Sequence, residues 1–143
     1  MKTARQLLQE KSRQGIFSVA PNATVYQALQ LMAEKDIGAV LVMEGERLVG
    51  IFSERDYARK VVLQGKTSAG TPIADIMTRR VVFAKPSQTI DDCMAIMSEK
   101  RFRHLPVMDD SRVLGVLSIT DLVREQIAEQ QYLIEQLEHY IHG

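Results

Sequence analysis

Ser53-Glu54-Arg55-Asp56 and Ser118-Ile119-Thr120-Asp121 put a hydroxyl and a carboxylate three residues apart, twice in one chain. Each run follows a short apolar stretch, Leu48–Phe52 or Val113–Leu117. A helix opening there presents unpaired backbone N–H groups and the positive end of its dipole, which suit a phosphate. The aspartate can accept two hydrogen bonds from a vicinal diol such as ribose. The same spacing is also an ordinary helix cap, in which the two residues bond each other's backbone. Both readings stay open. The return of Ser and Asp while the residues between them change favours a shared ligand role.

Other reactive groups carry less. Arg79, Arg80, Arg101 and Arg103 read by themselves as a solvated basic rim. His139 and His142 sit three residues apart near the C-terminus, too few ligands to define a metal site. Cys93 is the only cysteine and falls on an apolar helix position, which predicts a packed, inert thiol. There is no Walker A loop, no HExxH and no ordered Ser/His/Asp set. A non-enzyme without a bound metal is expected.

The elements that must position these residues come from a duplication. Offsetting the chain by 65 aligns residues 21–57 with 86–122 without a gap, with eleven identical pairs. Among them are Pro21/Pro86, Thr24/Thr89, Gly50/Gly115, Ser53/Ser118 and Asp56/Asp121. In each copy a Thr with a polar residue three later predicts a capped helix: Thr24 with Gln27, Thr89 with Asp92. Apolar residues at 25, 28, 29 and 32, and at 90, 93, 94 and 97, give each helix one buried face. Two apolar runs around a turn follow, Gly38–Met43 with Leu48–Phe52 and Leu105–Met108 with Val113–Leu117. Short β-rich runs at Ile16–Val19 and Val81–Ala84 come before. The repeat is strand, helix, strand, strand, helix, with Lys66–Pro72 as linker.

Composition sets the class. Of 143 residues, 45% are hydrophobic and 25% charged, as in soluble globular proteins. Lys+Arg and Asp+Glu balance at 18 each, which gives no case for nucleic acid. No apolar run approaches a membrane span, the first ten residues show no signal peptide, and one cysteine suits a reducing compartment. A soluble cytoplasmic protein is expected.

On these residues the chain resembles a tandem pair of cystathionine-β-synthase (CBS) domains, a Bateman module of the stand-alone two-repeat type. The resemblance rests on Gly50–Asp56 and Gly115–Asp121, each Gly-apolar-apolar-Ser-x-x-Asp. Arg103-His104-Leu105-Pro106-Val107 and Ala74-Asp75-Ile76-Met77-Thr78 add to it. It covers residues 4–126; Leu41 stands where the second repeat has Pro106. It implies a mixed α/β (α+β) fold of two repeats in a pseudo-two-fold arrangement, divided as 1–66 with an N-terminal helix, 67–126, and a helical extension over 127–143. It further implies adenosine-containing ligands in clefts between the repeats, each cleft joining the Ser-x-x-Asp helix of one repeat to the first two strands of the other. One site would join Ser53, Arg55 and Asp56 with Arg80, Val81, Val82, Arg103 and His104. The other would join Ser118, Thr120 and Asp121 with Ile16, Phe17, Gly38 and Ala39.

The expected function is a regulatory module for an adenine nucleotide, AMP, ADP or ATP first and NAD(H) next, acting on a protein that the sequence does not name. S-adenosylmethionine ranks lower because the arginines of the first site suit phosphates better than a sulfonium. The rival is a ligand-free dimerisation or interaction scaffold in which both Ser-x-x-Asp runs only cap helices. Val123, Ile127, Gln130, Ile134, Leu137 and Ile141 form a heptad-like stripe on the tail, which predicts helix–helix contact in a homodimer.

Overall fold

In the computed structural model, which describes residues 1–11 and 15–142, the long helices open with the caps their sequence calls for. Helix α1 spans Ala4–Glu10, α2 Val25–Lys35 and α4 Ile90–Lys100. Thr24 Oγ1 accepts from the Gln27 N–H while the Gln27 side chain accepts from the Thr24 N–H. Thr89 and Asp92 repeat the arrangement, and Thr3 with Gln6 adds a third. The two-residue β1 (Ser18–Val19) lies between α1 and α2, and between α2 and α4 come β2 (Ala39–Glu44), β3 (Arg47–Ser53), the short α3 (Glu54–Asp56), a π turn over Tyr57–Val62 and a 3₁₀ turn over Ile73–Asp75. After α4 come β4 (His104–Asp109), β5 (Arg112–Ser118) and the 24-residue α5 (Ile119–His142). Gly143, the last residue of the expected extension, lies outside the described residues.

The chain divides into two compact units. One holds Gly15–Phe83 and Met108–Val113. Its sheet runs β1-β2-β3, with β1 parallel and β3 antiparallel to β2. Glu44 and Arg47 close a two-residue loop whose first member, Gly45, has φ 63, a conformation that suits such a loop and favours glycine. The register shifts by one between Val42/Gly50 and Met43/Leu48, so Val49 bulges. Val25, Ala28 and Met32 of α2 pack on Val40, Val42 and Phe52, and Ile73, Ile76 and Met77 complete the same core. Residues 73–78, which follow the linker in sequence, pack into the core of this unit. Ile73 is fully buried, and Thr78 bridges Ile51 of β3.

The other unit holds Met1–Gln14, Ala84–Val107 and Leu114–Gly143. It is built on β4-β5 and α4 with buried Ile90, Cys93, Met97, Leu105, Leu117 and Leu122. Here α1, which precedes the first repeat in sequence, packs within this unit. The Ala4 N–H donates to the Gln88 carbonyl, the Ile90 N–H donates to the Lys2 carbonyl, and Ala4 and Leu7 are buried. The run Val81–Ala84 pairs only at its last residue, where Ala84 bridges Val107 and donates to the Pro106 carbonyl. Val81 donates instead to Arg79 two residues back, a bend rather than a ladder. The architecture is mixed α/β, two repeats of helix and small sheet followed by a long C-terminal helix.

Candidate functional site

An antiparallel hairpin brings the first residue of one strand beside the last residue of the next, and this rule places the chemistry. Ala39 pairs with Ser53, and the Glu54 N–H donates to the Gly38 carbonyl at 3.1 Å. In the second repeat the Ile119 N–H donates to the Arg103 carbonyl at 2.8 Å. Each Ser-x-x-Asp junction thus closes on the opening residues of its own repeat's hairpin. Gly38 and Ala39, assigned by the resemblance to the Ser118 site, lie at Ser53. Arg103 and His104, assigned to the Ser53 site, lie at Ser118. The remaining expected residues stay with their own units: Ile16, Phe17, Arg55, Arg80, Val81 and Val82 with Ser53 and Asp56, and Thr120 with Ser118 and Asp121. The Phe17 carbonyl accepts from the Leu41 N–H, which ties the β1 approach to β2. Arg55, Arg80, Arg103 and Thr120 are exposed; Val81, Val82 and His104 are half-buried.

Both junctions form the helix cap that the Ser-x-x-Asp spacing allows. Asp56 accepts from the Ser53 N–H at 2.9 Å while Ser53 Oγ accepts from the Asp56 N–H at 3.2 Å. Asp121 and Ser118 do the same at 2.8 and 3.1 Å. The capping carboxylates are only 14% and 17% exposed, and each is met by a lysine. Lys60 Nζ lies 3.1 Å from Asp56 Oδ1, which also accepts from Thr78 Oγ1 at 3.3 Å. Lys60 donates as well to the Ile76 carbonyl. Lys11 Nζ lies 3.0 Å from Asp121 Oδ2 and donates to the Val116 carbonyl at 2.8 Å.

The motif glycines have a steric duty. A Cβ on Gly50 would stand 2.6 Å from Met77 Sδ and 3.2 Å from the Thr78 carbonyl oxygen. On Gly115 it would stand 2.8 Å from a Leu8 methyl. Those approaches deliver Thr78 to Asp56 and bring α1, whose C-cap is Lys11, onto β5.

Electrostatics differ between the junctions. Burial, followed by the Lys11 ammonium, lowers the His104 pKa, with Asp121 pulling the other way and Arg103 adding to the lowering. His104 is therefore a neutral donor and acceptor at pH 7. Burial pushes the Cys93 thiol up to about 11, which leaves it protonated and unreactive. Among the described residues no three His, Cys, Asp or Glu side chains gather to hold a metal, and no helix is long and apolar enough to cross a membrane.

Sequence reasoning missed Lys11, Lys60 and Thr78. Lys60 had a signal, since it lies four residues after Asp56 on a helical path. Thr78 lay in the Ala74–Thr78 run without a role assigned to it, and Lys11 had no signal, because only the packing around Gly50 and Gly115 brings the two to the aspartates.

Two segments, residues 7–63 and 73–128, match the family model described as CBS domain. A CBS-domain protein of Arabidopsis thaliana, mitochondrial CBSX3, is 37% identical over 84% of this chain, which spans 61% of that protein's length. YhcV of Bacillus subtilis, also a CBS-domain protein, is 29% identical over 80% of this chain and 81% of its own. Among solved structures, a protein with CBS domains from Burkholderia ambifaria is 50% identical, with a TM-score of 0.86 over 90% of this chain and 96% of its own.

Proposed function

The chain belongs to the CBS-domain family, and from that premise we propose that it is a regulatory module binding an adenine nucleotide at its two Ser-x-x-Asp junctions. The observation that carries this reading is the doubling of one geometry. In each repeat a poorly exposed aspartate, a helix start and a cation meet at the mouth of a hairpin. The aspartate suits the ribose diol and the cations suit phosphate. At Asp121 the surrounding groups are Lys11, Arg103 and neutral His104, a set that favours AMP, ADP, ATP or NAD(H) over a sulfonium ligand. The CBS domain pair of protein MJ0100, 24% identical, was solved in complex with 5′-methylthioadenosine and S-adenosyl-L-methionine. Adenosine is common to those ligands and to the nucleotides proposed here.

The module acts without catalysis of its own, in the cytoplasm, by offering a partner protein a different surface when loaded. This requires a ligand that binds one conformation better than another. It works as a homodimer through α5, where Ile127, Ile134, Leu137 and Ile141 are 61, 48, 62 and 72% exposed. Leu122 is the sole buried residue of that helix among those described.

The capped carboxylates favour a second reading, a scaffold without ligand in which both aspartates serve only the fold. Thermal melting with AMP, ADP, ATP, NAD and S-adenosylmethionine separates the two. A ligand specific for the native state at a hundred times its Kd adds about 2.7 kcal/mol and raises Tm. A flat response across the panel would leave the scaffold.

A further inference from the structure

Each junction aspartate already holds a lysine, and the two lysines come from unrelated places. Lys60 lies on the π turn that follows Asp56. The repeat offset of 65 maps it onto Glu125, which in the structure pairs with Lys2 at 2.9 Å. A charge-reversed position cannot serve Asp121. Lys11, the C-cap of α1, takes its place at 3.0 Å and is anchored on the Val116 carbonyl. The same ion pair is therefore built twice by different parts of the chain.

A ribose diol and an ammonium compete for the same carboxylate oxygens, because both donate to them. An ammonium displaced from the carboxylate keeps its charge and, on a flexible four-carbon stem, can reach a new anion. We propose that Lys11 and Lys60 are specificity-determining residues that exchange the aspartate for the ligand's phosphate, so that a phosphorylated nucleoside is selected over the bare nucleoside. The inference rests on the nucleotide reading and adds its selectivity. Adenosine must dislodge each lysine without offering it a partner. AMP dislodges it and receives it.

The test is calorimetric titration of AMP and of adenosine into the full chain, the Lys11→Met/Lys60→Met double variant and the Lys11→Arg/Lys60→Arg double variant. The preference for AMP should fall about tenfold or more in the Met variant, the scale of one charge-assisted hydrogen bond. Adenosine affinity should hold or rise, because its competitor is gone. The Arg variant should keep most of the preference. Equal losses for both ligands, or an unchanged ratio in the Met variant, would assign the lysines to the fold alone and overturn the proposal. If the unmodified chain binds neither ligand, the nucleotide reading itself fails and takes the proposal with it. Melting curves of both variants establish that the chain is folded in each titration.

Discussion

Arg103 and His104 stand side by side at the mouth of the second hairpin with different tasks. The guanidinium is exposed and forked, suited to a phosphate, so Arg103→Ala should weaken AMP more than adenosine. Titrations that show equal losses would make it a packing residue. The neighbouring imidazole sets a pH dependence. Its folded pKa lies below the ordinary 6.5, by burial first and Lys11 second. The unfolded chain therefore takes a proton near pH 6.5 that the folded chain refuses. Stability is unaffected by this group above that pH, declines as pH drops through 6.5, and levels off below the folded pKa. Melting temperatures between pH 7.5 and 5 should fall less steeply in His104→Gln than in the parent chain. Identical slopes would contradict the burial of the ring.

At the scale of elements, the paired glycines make a ranked prediction. At Gly50 an added methyl meets both Met77 and the Thr78 backbone, which cannot swing away; at Gly115 it meets the far end of Leu8, which can. Gly50→Ala should cost about 1–3 kcal/mol by overpacking, and Gly115→Ala less. Urea midpoints of the two variants check the order, and the reverse order would refute the role assigned to the 73–78 segment. Helices were plain in the sequence because caps and a 3.6-residue period are local properties: Thr24, Thr89 and the faces of α2 and α4 needed no tertiary information. The hairpins were plain for the same reason. What escaped was long-range. Nothing local says that Ile73 is buried with α2, that α1 joins the second repeat, or that Val81 turns back on Arg79. The grouping of Gly38 with Ser53 and of Arg103 with Ser118 is long-range too, since only the closed hairpins bring these residues together.

For the whole molecule, the proposed homodimer puts its seam on the exposed stripe of α5. Removing residues after Gln126 keeps buried Leu122 and should leave both units folded while shifting the chain toward monomer. Ile134→Asp should act alike, because an unpaired charge buried in a helix seam costs several kcal/mol. Light scattering at low concentration reads the result, and a truncated dimer as tight as the full chain would place the seam elsewhere. The proposed nucleotide binding is read most directly by native mass spectrometry of the full chain titrated with AMP. AMP adducts should form on the parent chain and vanish in Asp56→Ala/Asp121→Ala, with melting curves establishing that this variant is folded. A parent chain that takes up no AMP, or a double variant that takes up as much, would contradict nucleotide binding at these junctions.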